Sequence, residues 1–189
     1  MIGVLAIQGD FAAHIKALRR IGAEAVEIRS KNDFDDISGL ILPGGESTTM
    51  LKFFENEDLG ESIKEFAGSG KPVFGTCAGA ILLAREVYNP TQASLGLIDM
   101  VIERNGYGRQ VDSFVGTAQA IAEFGIVEAV FIRAPRIKSV GPRVEILARF
   151  NGEPVLVRER NILAATFHPE LTGDERTHRL FRDMISYAE

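Results

Sequence analysis

The sequence predicts an α/β domain: a doubly wound, mostly parallel sheet flanked by helices, with an antiparallel extension. Three observations predict it. Through the first half of the chain, short apolar runs alternate with segments of helical periodicity. Those runs are continuously apolar, which suits strands covered on both faces. After Val87 the rhythm changes to short strand candidates at hairpin-like spacing, with Asn151-Gly152 the best turn signal.

Ile2–Ile7 reads as the first strand, and Gln8-Gly9-Asp10 as a turn with Asp10 placed to cap the next helix. Phe11, Ile15, Leu18 and Gly22 share one face of that helix, and Gly22 is a natural stop. Ala25–Ile28 and Gly39–Leu42 read as strands, the second ending at Pro43-Gly44-Gly45. Ser47-Thr48-Thr49 offers N-caps for a helix to about Phe54, and Leu59–Ala67 adds a further amphipathic segment. Pro72–Gly75 is the next strand and Ala78–Ala84 the next helix. Tyr88–Ser94 reads as polar loop. Gly96–Ile102, Gln119–Ala122, Ala129–Ile132, Val144–Phe150, Pro154–Val157 and Ile162–Thr166 are the later strand candidates, expected to extend the same sheet. Asp174–Tyr187 closes the chain as a helix with Leu180, Phe181, Met184 and Ala188 on one face. No linker separates the halves, so residues 1–189 are expected to form a single domain.

The bulk numbers exclude several classes. A chain of 189 residues with 46% hydrophobic and 25% charged content is that of a globular domain of ordinary size. A net charge of −5 without a like-charge run points away from nucleic acid and anionic membranes. No apolar stretch approaches the roughly 18 residues that span a bilayer. The opening MIGVLAIQGD lacks the basic region and cleavage site of a signal peptide. The single cysteine fits a reducing cytoplasm.

Gly75-Thr76-Cys77-Ala78-Gly79 joins a strand to a helix in the manner of a nucleophile elbow, with cysteine in place of serine. The glycines permit close strand–helix approach, and the helix amino end favours a thiolate, the form that attacks carbonyls. On this stretch alone, a small buried hydrophobe is an equal reading of Cys77. Thr166-Phe167-His168-Pro169-Glu170 follows the last strand, at the sheet edge where function collects in parallel sheets. There His168 can take the thiol proton, and Glu170 can orient its imidazole if the Pro169 turn folds the two together. A satisfied surface histidine and the start of the final helix are the plainer alternatives. His14 and His178 sit in helical patterns and read as structural. Leu42-Pro43-Gly44-Gly45-Glu46-Ser47 is a third strand end, whose glycines offer N–H groups to an oxyanion, beside the N–H of Ala78. An ordinary Pro-Gly-Gly turn would look the same. A phosphate loop is disfavoured because neither G-K-[ST] nor G-x-G-x-x-G is present. Three histidines and one cysteine lack metal-ligand spacing, so no metal is expected.

Taken together, GTCAG, PGGESTTM and FHPELT resemble the motifs of class I glutamine amidotransferases. Within that superfamily, IQGDFAAHIKAL, LILPGGESTTMLK, GKPVFGTCAGAILLA, VIERNGYGRQVDSF, VFIRAP and ATFHPELT look like the glutaminase subunits of pyridoxal 5′-phosphate synthase. These stretches span nearly the whole chain. The triad motifs specify only the superfamily; ERNGYGRQVDSF and the short length point to this member.

The resemblance implies a flavodoxin-like sheet, with Cys77 as nucleophile and His168 and Glu170 completing a triad. It implies glutamine contacts from Gly45, Glu46, Ser47, Arg104, Ile132 and Arg133. An arginine suits an amino-acid carboxylate; apart from the resemblance, the ordinary reading of either arginine is a surface salt bridge worth little. Gly45 and Ala78 are expected to form the oxyanion hole. The implied reaction is hydrolysis of L-glutamine to glutamate and ammonia. The ammonia is delivered to a separate synthase (lyase) subunit in a large hetero-oligomer that makes pyridoxal 5′-phosphate. That compound is then the partner's product, and no cofactor is expected here. Two rivals stay open: an amidase or peptidase of the same architecture, and a catalytically silent binding subunit.

Overall fold

The structure, a computed structural model, describes residues 1–106, 113–120 and 125–186. Its first part runs β1 (Ile2–Leu5), α1 (Phe11–Arg20), β2 (Ala25–Ile28), β3 (Gly39–Leu42), α2 (Ser47–Asn56), α3 (Leu59–Gly68), β4 (Val73–Thr76) and α4 (Ala78–Leu83). Then come β5 (Ala84–Tyr88), β6 (Ile98–Glu103), β7 (Ser113–Ala120), β8 (Ile126–Ile132), β9 (Arg136–Val140), β10 (Glu145–Phe150), β11 (Glu153–Glu159), β12 (Ile162–Ala165) and α5 (Arg176–Ser186).

Nine strands form one sheet in the order β2-β1-β3-β4-β12-β11-β10-β7-β8. The five from β2 to β12 are parallel, and the remaining four continue antiparallel. The continuous apolar runs are explained by what covers them. Leu40 and Leu42 of β3, Val73 of β4, and Ile162 and Ala164 of β12 enter a core built with Met50, Phe54, Ile63 and Leu82 of α2, α3 and α4. The alternate residues Ile41, Phe74, Leu163 and Ala165 face the other way, against Ile15 and Leu18 of α1 and Phe181 and Ile185 of α5. Two-sided burial keeps these strands apolar, Thr76 at the end of β4 excepted.

The second half departs from expectation in one respect. The later strands do not all extend the main sheet: β5, β6 and β9 form a separate three-stranded sheet. Its apolar residues Val87, Met100, Ile102 and Ile137 belong to the core on the α2–α4 side. The predicted helix through Ala84 stops at Leu83, where Ala84 turns extended (ψ 151°). Ala84 and Val87 are buried as strand residues, against a helical preference that local sequence overstates. The strand β9 had no expected counterpart. Of the expected elements, the end of Gln119–Ala122 and the carboxyl end of the last helix at Tyr187 and Ala188 lie outside the described residues. So do residues 107–112 of the ERNGYGRQVDSF stretch.

Candidate active site

The carboxyl ends of β1, β3, β4 and β12 meet at one edge of the sheet, as parallel topology requires. At the end of β4, Cys77 adopts φ 47° and ψ −102°, a left-handed conformation that a side-chain-bearing residue rarely takes. Two contacts hold it there. Its N–H donates to the Ala165 carbonyl of β12 at 2.8 Å, and Gly75 and Gly79 pack backbone to backbone across the turn. A Cβ on Gly75 would lie 2.6 Å from the Gly79 carbonyl, and one on Gly79 would strike the Leu42 carbonyl, so both elbow glycines are required. The thiol is largely buried, with Sγ 3.9 Å from the Ile132 carbonyl.

His168 follows β12 and is fixed by its own N–H, which donates to the Val130 carbonyl of β8 at 2.8 Å. A 3₁₀ turn over Pro169–Leu171 then folds Glu170 back, so that its Oε1 lies 2.7 Å from His168 Nδ1. Pro169 starts that turn with its φ already set. Gly44 packs flat against the imidazole; any Cβ there would collide with the ring. Burial alone opposes the His168 cation, yet the Cys77 side chain and the Glu170 carboxylate outweigh it and push its pKa up to about 10. Burial alone would raise Glu170 too, but His14 and His168 hold its carboxyl below the usual range.

Cys77 and His168 open into a cleft of about 340 Å³. Every residue expected from the sequence lines it except Glu170, which sits behind His168 at 4% exposure. Gly45, Glu46 and Ser47 form one wall, and Ala78, first residue of α4, lies beside the thiol. Arg104 reaches across to Glu46, with Nη2 3.1 Å from Oε1. Glu46 also caps α2 by accepting from the Thr48 N–H at 3.1 Å and the Thr48 hydroxyl at 2.8 Å. Burial opposes its charge, but Thr48, Arg104 and Arg133 together lower its pKa. The helix therefore begins one residue earlier than the Ser47 cap predicted. Ser47 instead points its hydroxyl at Gln92 Oε1, 2.9 Å away. Ile132 and Arg133 close the far side, Arg133 at φ 42°.

The cleft also contains residues that sequence reasoning passed over. Gln8 Oε1 accepts from the Glu46 N–H at 2.8 Å, tying the first strand end to the third. Asp10 stands at the start of α1 but makes no capping bond with its side chain. Its carboxylate comes within 4.8 Å of donor atoms on His168 and Glu170, the one grouping of potential metal ligands among the described residues. His168 Nδ1 and Glu170 Oε1 within it are already bonded to each other. Gln8 and Asp10 follow β1 at the same sheet edge, which was the available signal. His14 and His178, read as structural, are both fully buried, and His14 Nε2 lies 3.3 Å from Glu170 Oε2. A larger groove of about 820 Å³ along β7, β8 and the start of α5 has no cysteine or histidine among its described lining residues.

Known proteins resemble this chain along nearly its whole length. A family model described as "SNO glutamine amidotransferase family" matches residues 4–187. A protein of Solibacter usitatus named pyridoxal 5′-phosphate synthase subunit PdxT is 53% identical over 186 residues, covering 95% of this chain and 96% of its own. One of the same name from Thermotoga maritima is 49% identical over 189 residues, covering 97% and 98%. A solved structure titled as a glutamine amidotransferase superposes with a TM-score of 0.93 at 45% identity, over 98% of both chains. The strained cysteine at the β4 elbow and the histidine–glutamate pair after β12 are thus held in a framework shared over its full length, and the chain belongs to the SNO glutamine amidotransferase family.

Proposed function

We propose that the chain, acting as one domain over residues 1–189, hydrolyses the side-chain amide of L-glutamine to L-glutamate and ammonia. The observation that carries this reading is the His168–Glu170 bond of 2.7 Å beside a cysteine in a strained elbow, both opening into one cleft. The Cys77 sulfur, as thiolate paired with the His168 imidazolium, attacks the amide carbon. The amides of Gly45 and Ala78 receive the oxyanion. His168 donates its proton to the departing ammonia, and then takes a proton from the water that releases glutamate from the thioester. Glu170 holds the imidazole in register throughout. Arg104, Arg133 and Glu46 suit the carboxylate and ammonium of an amino acid, Ser47 and the Ile132 backbone line its path, and no cofactor enters the reaction.

The relatives' name supplies the partner. The ammonia passes to a separate synthase subunit within a hetero-oligomer that builds pyridoxal 5′-phosphate. A reducing, cytoplasmic setting suits the free thiol; no helix among the described residues is long and apolar enough to cross a membrane. The deciding experiment is a glutaminase assay on the purified chain, with and without the synthase subunit of the same organism. Glutamate release that requires Cys77 supports the reading. Turnover of other amides or peptides with glutamine left intact would favour the amidase alternative, and no turnover in any combination would favour a silent binding subunit.

A further inference from the structure

Behind the His168–Glu170 pair, four buried polar side chains from four elements converge. His14 comes from α1, Thr76 from the end of β4, Glu170 from the 3₁₀ turn and His178 from α5. His14 Nε2 lies 3.1 Å from Thr76 Oγ1 and 3.3 Å from Glu170 Oε2, while its Nδ1 lies 3.0 Å from His178 Nε2. We propose that His14 is a positioning residue: its Nε2–H steadies the Glu170 carboxylate for its bond to His168, and His178 fixes His14 in the one tautomer that can do so.

The proton positions follow from the partners. Glu170 is ionised and can only accept, so the nitrogen facing Oε2 must carry the hydrogen; a lone pair there would face a negative oxygen. That Nε2–H is bonded to Thr76 Oγ1 at 3.1 Å and lies 3.3 Å from Glu170 Oε2, an oxygen with no hydrogen-bond partner among the described residues, so the ring acts on the carboxylate through the positive end of its N–H. A neutral His14 then has a lone pair on Nδ1, which accepts from His178 Nε2–H. His178, also neutral, is left with an unprotonated Nδ1. That atom is buried without a partner, and an empty acceptor there costs less than an orphaned N–H. Burial disfavours the cation at both rings, consistent with this assignment. Phe74 of β4 keeps both imidazoles edge-on, at 86° and 83° to its ring, so they have little freedom to turn. Thr76 immediately precedes Cys77, so the ring that faces the carboxylate is bonded to the strand carrying the thiol.

The proposal rests on the Cys77–His168–Glu170 reading, but its deciding measurements, on the histidine rings, do not need glutamine. The charged and titratable groups facing the cluster are Cys77, His168, Glu170 and Asp10, with Arg20 acting on His178. The chain has only three histidines, so its ring nitrogens are assignable by ¹⁵N NMR on the full-length protein. His14 and His178 are expected to be neutral and protonated at Nε2; a hydrogen on His14 Nδ1 overturns the proposal. His14→Leu removes the donor at similar size and should lower the His168 titration midpoint by about one pH unit, a tenfold change in its protonation equilibrium. It should also cut kcat about 10–100-fold with a smaller change in KM. His14→Gln, whose amide N–H reaches the Nε2 position, should restore both. Loss of thermal stability alike in both variants, with the His168 midpoint unmoved, would mean that His14 only packs, and would overturn it. If His14→Leu does not fold, the wild-type ring spectrum and the His14→Gln midpoint decide. Absence of glutamine turnover in the wild type would strike the glutaminase reading and leave these ring measurements to judge His14 on their own.

Discussion

Arg104 and Glu46 are ion-paired across the mouth of the cleft, Nη2 to Oε1 at 3.1 Å, with the arginine side chain only 16% exposed. In the free protein each group has the other as partner. An amino acid entering the cleft brings a carboxylate for the guanidinium and an ammonium for the carboxylate, so it can replace one internal pair by two. Glu46 is held in place meanwhile by Thr48 at the start of α2. Arg104→Ala is therefore expected to raise KM for glutamine about 10–100-fold, the effect of losing a charge-assisted hydrogen bond, with a smaller change in kcat. Steady-state kinetics at fixed salt check this; an unchanged KM would remove Arg104 from substrate binding.

Cys77→Ala should abolish glutamine hydrolysis while leaving circular dichroism and Tm close to wild type. Deleting the sulfur removes only its long contact to the Ile132 carbonyl, while the elbow is held by the Cys77 N–H bond to Ala165 and the close approach of Gly75 to Gly79. A glutamine-derived electrophile should label the wild-type chain once, at Cys77. Substantial turnover by the alanine variant would end its assignment as nucleophile.

What could be read from the sequence was whatever is locally encoded. Gly75 and Gly79 announce the elbow because close approach leaves no room for a Cβ. The runs at Ile2–Leu5 and Gly39–Leu42 announce two-sided burial because no polar residue interrupts them. Long-range pairing was not legible. Nothing in Ala84–Tyr88 says that it lies beside Ile98–Glu103, or that Arg136–Val140 completes a second sheet. The same holds for His14 and His178. Each looks like one more residue on a helix face, and only the packing of α1 and α5 on the same side of Phe74 brings them together behind Glu170. Gln8 and Asp10 were within reach, since they follow a parallel strand just as Gly44 and His168 do.

If His168 is the acid of the proposed mechanism, its pKa near 10 sets the alkaline side of activity. The imidazolium persists while pH stays below that value and is lost as pH rises through it. The proton given to ammonia is therefore in place across the neutral range, and kcat/KM should decline only as pH approaches 10, not near 6.5. His168→Asn should lose most activity. Glu170→Gln should keep more of it but shift the decline to lower pH, because the neutral amide no longer supports the cation. A profile that falls near 6.5 in the wild type would contradict this electrostatic picture.

His178 sets an acid limit on stability. Burial lowers its pKa to about 3 from an ordinary 6.5, so between those values the unfolded chain binds more protons than the folded one. Stability must then fall as pH drops through that window. Glu170, also lowered, acts in the same sense below its ordinary 4.5. His168 acts oppositely: its contribution is complete below 6.5 and fades as pH rises toward 10. His178→Phe takes up no proton on unfolding, so its Tm should fall less steeply than wild type between pH 6.5 and 3, whatever its absolute value. Thermal melts across that range check this, and equal slopes would exclude His178 as a source of the acid sensitivity.

Ammonia released into water near neutral pH is mostly protonated, and the ammonium ion is no nucleophile. A glutaminase that ran freely would also consume glutamine without product. Both losses vanish if hydrolysis proceeds only while a synthase subunit covers the cleft and receives the ammonia directly. The resting site has features suited to such control. The Gly45–Glu46 segment is held by the Gln8 carboxamide through the Glu46 N–H, and Arg104 and Glu46 neutralise each other at the cleft mouth. Docking that shifts the glycine peptides would align the oxyanion donors at that moment, which acts on the transition state more than on ground-state binding. The isolated chain should accordingly show low glutaminase activity, rising on addition of the synthase subunit mainly through kcat. Loss of one oxyanion donor typically costs about 10²–10³ in rate, and that sets the scale of the expected rise. Full activity of the chain alone, unchanged by the synthase subunit, would refute the coupling and leave a free-standing glutaminase.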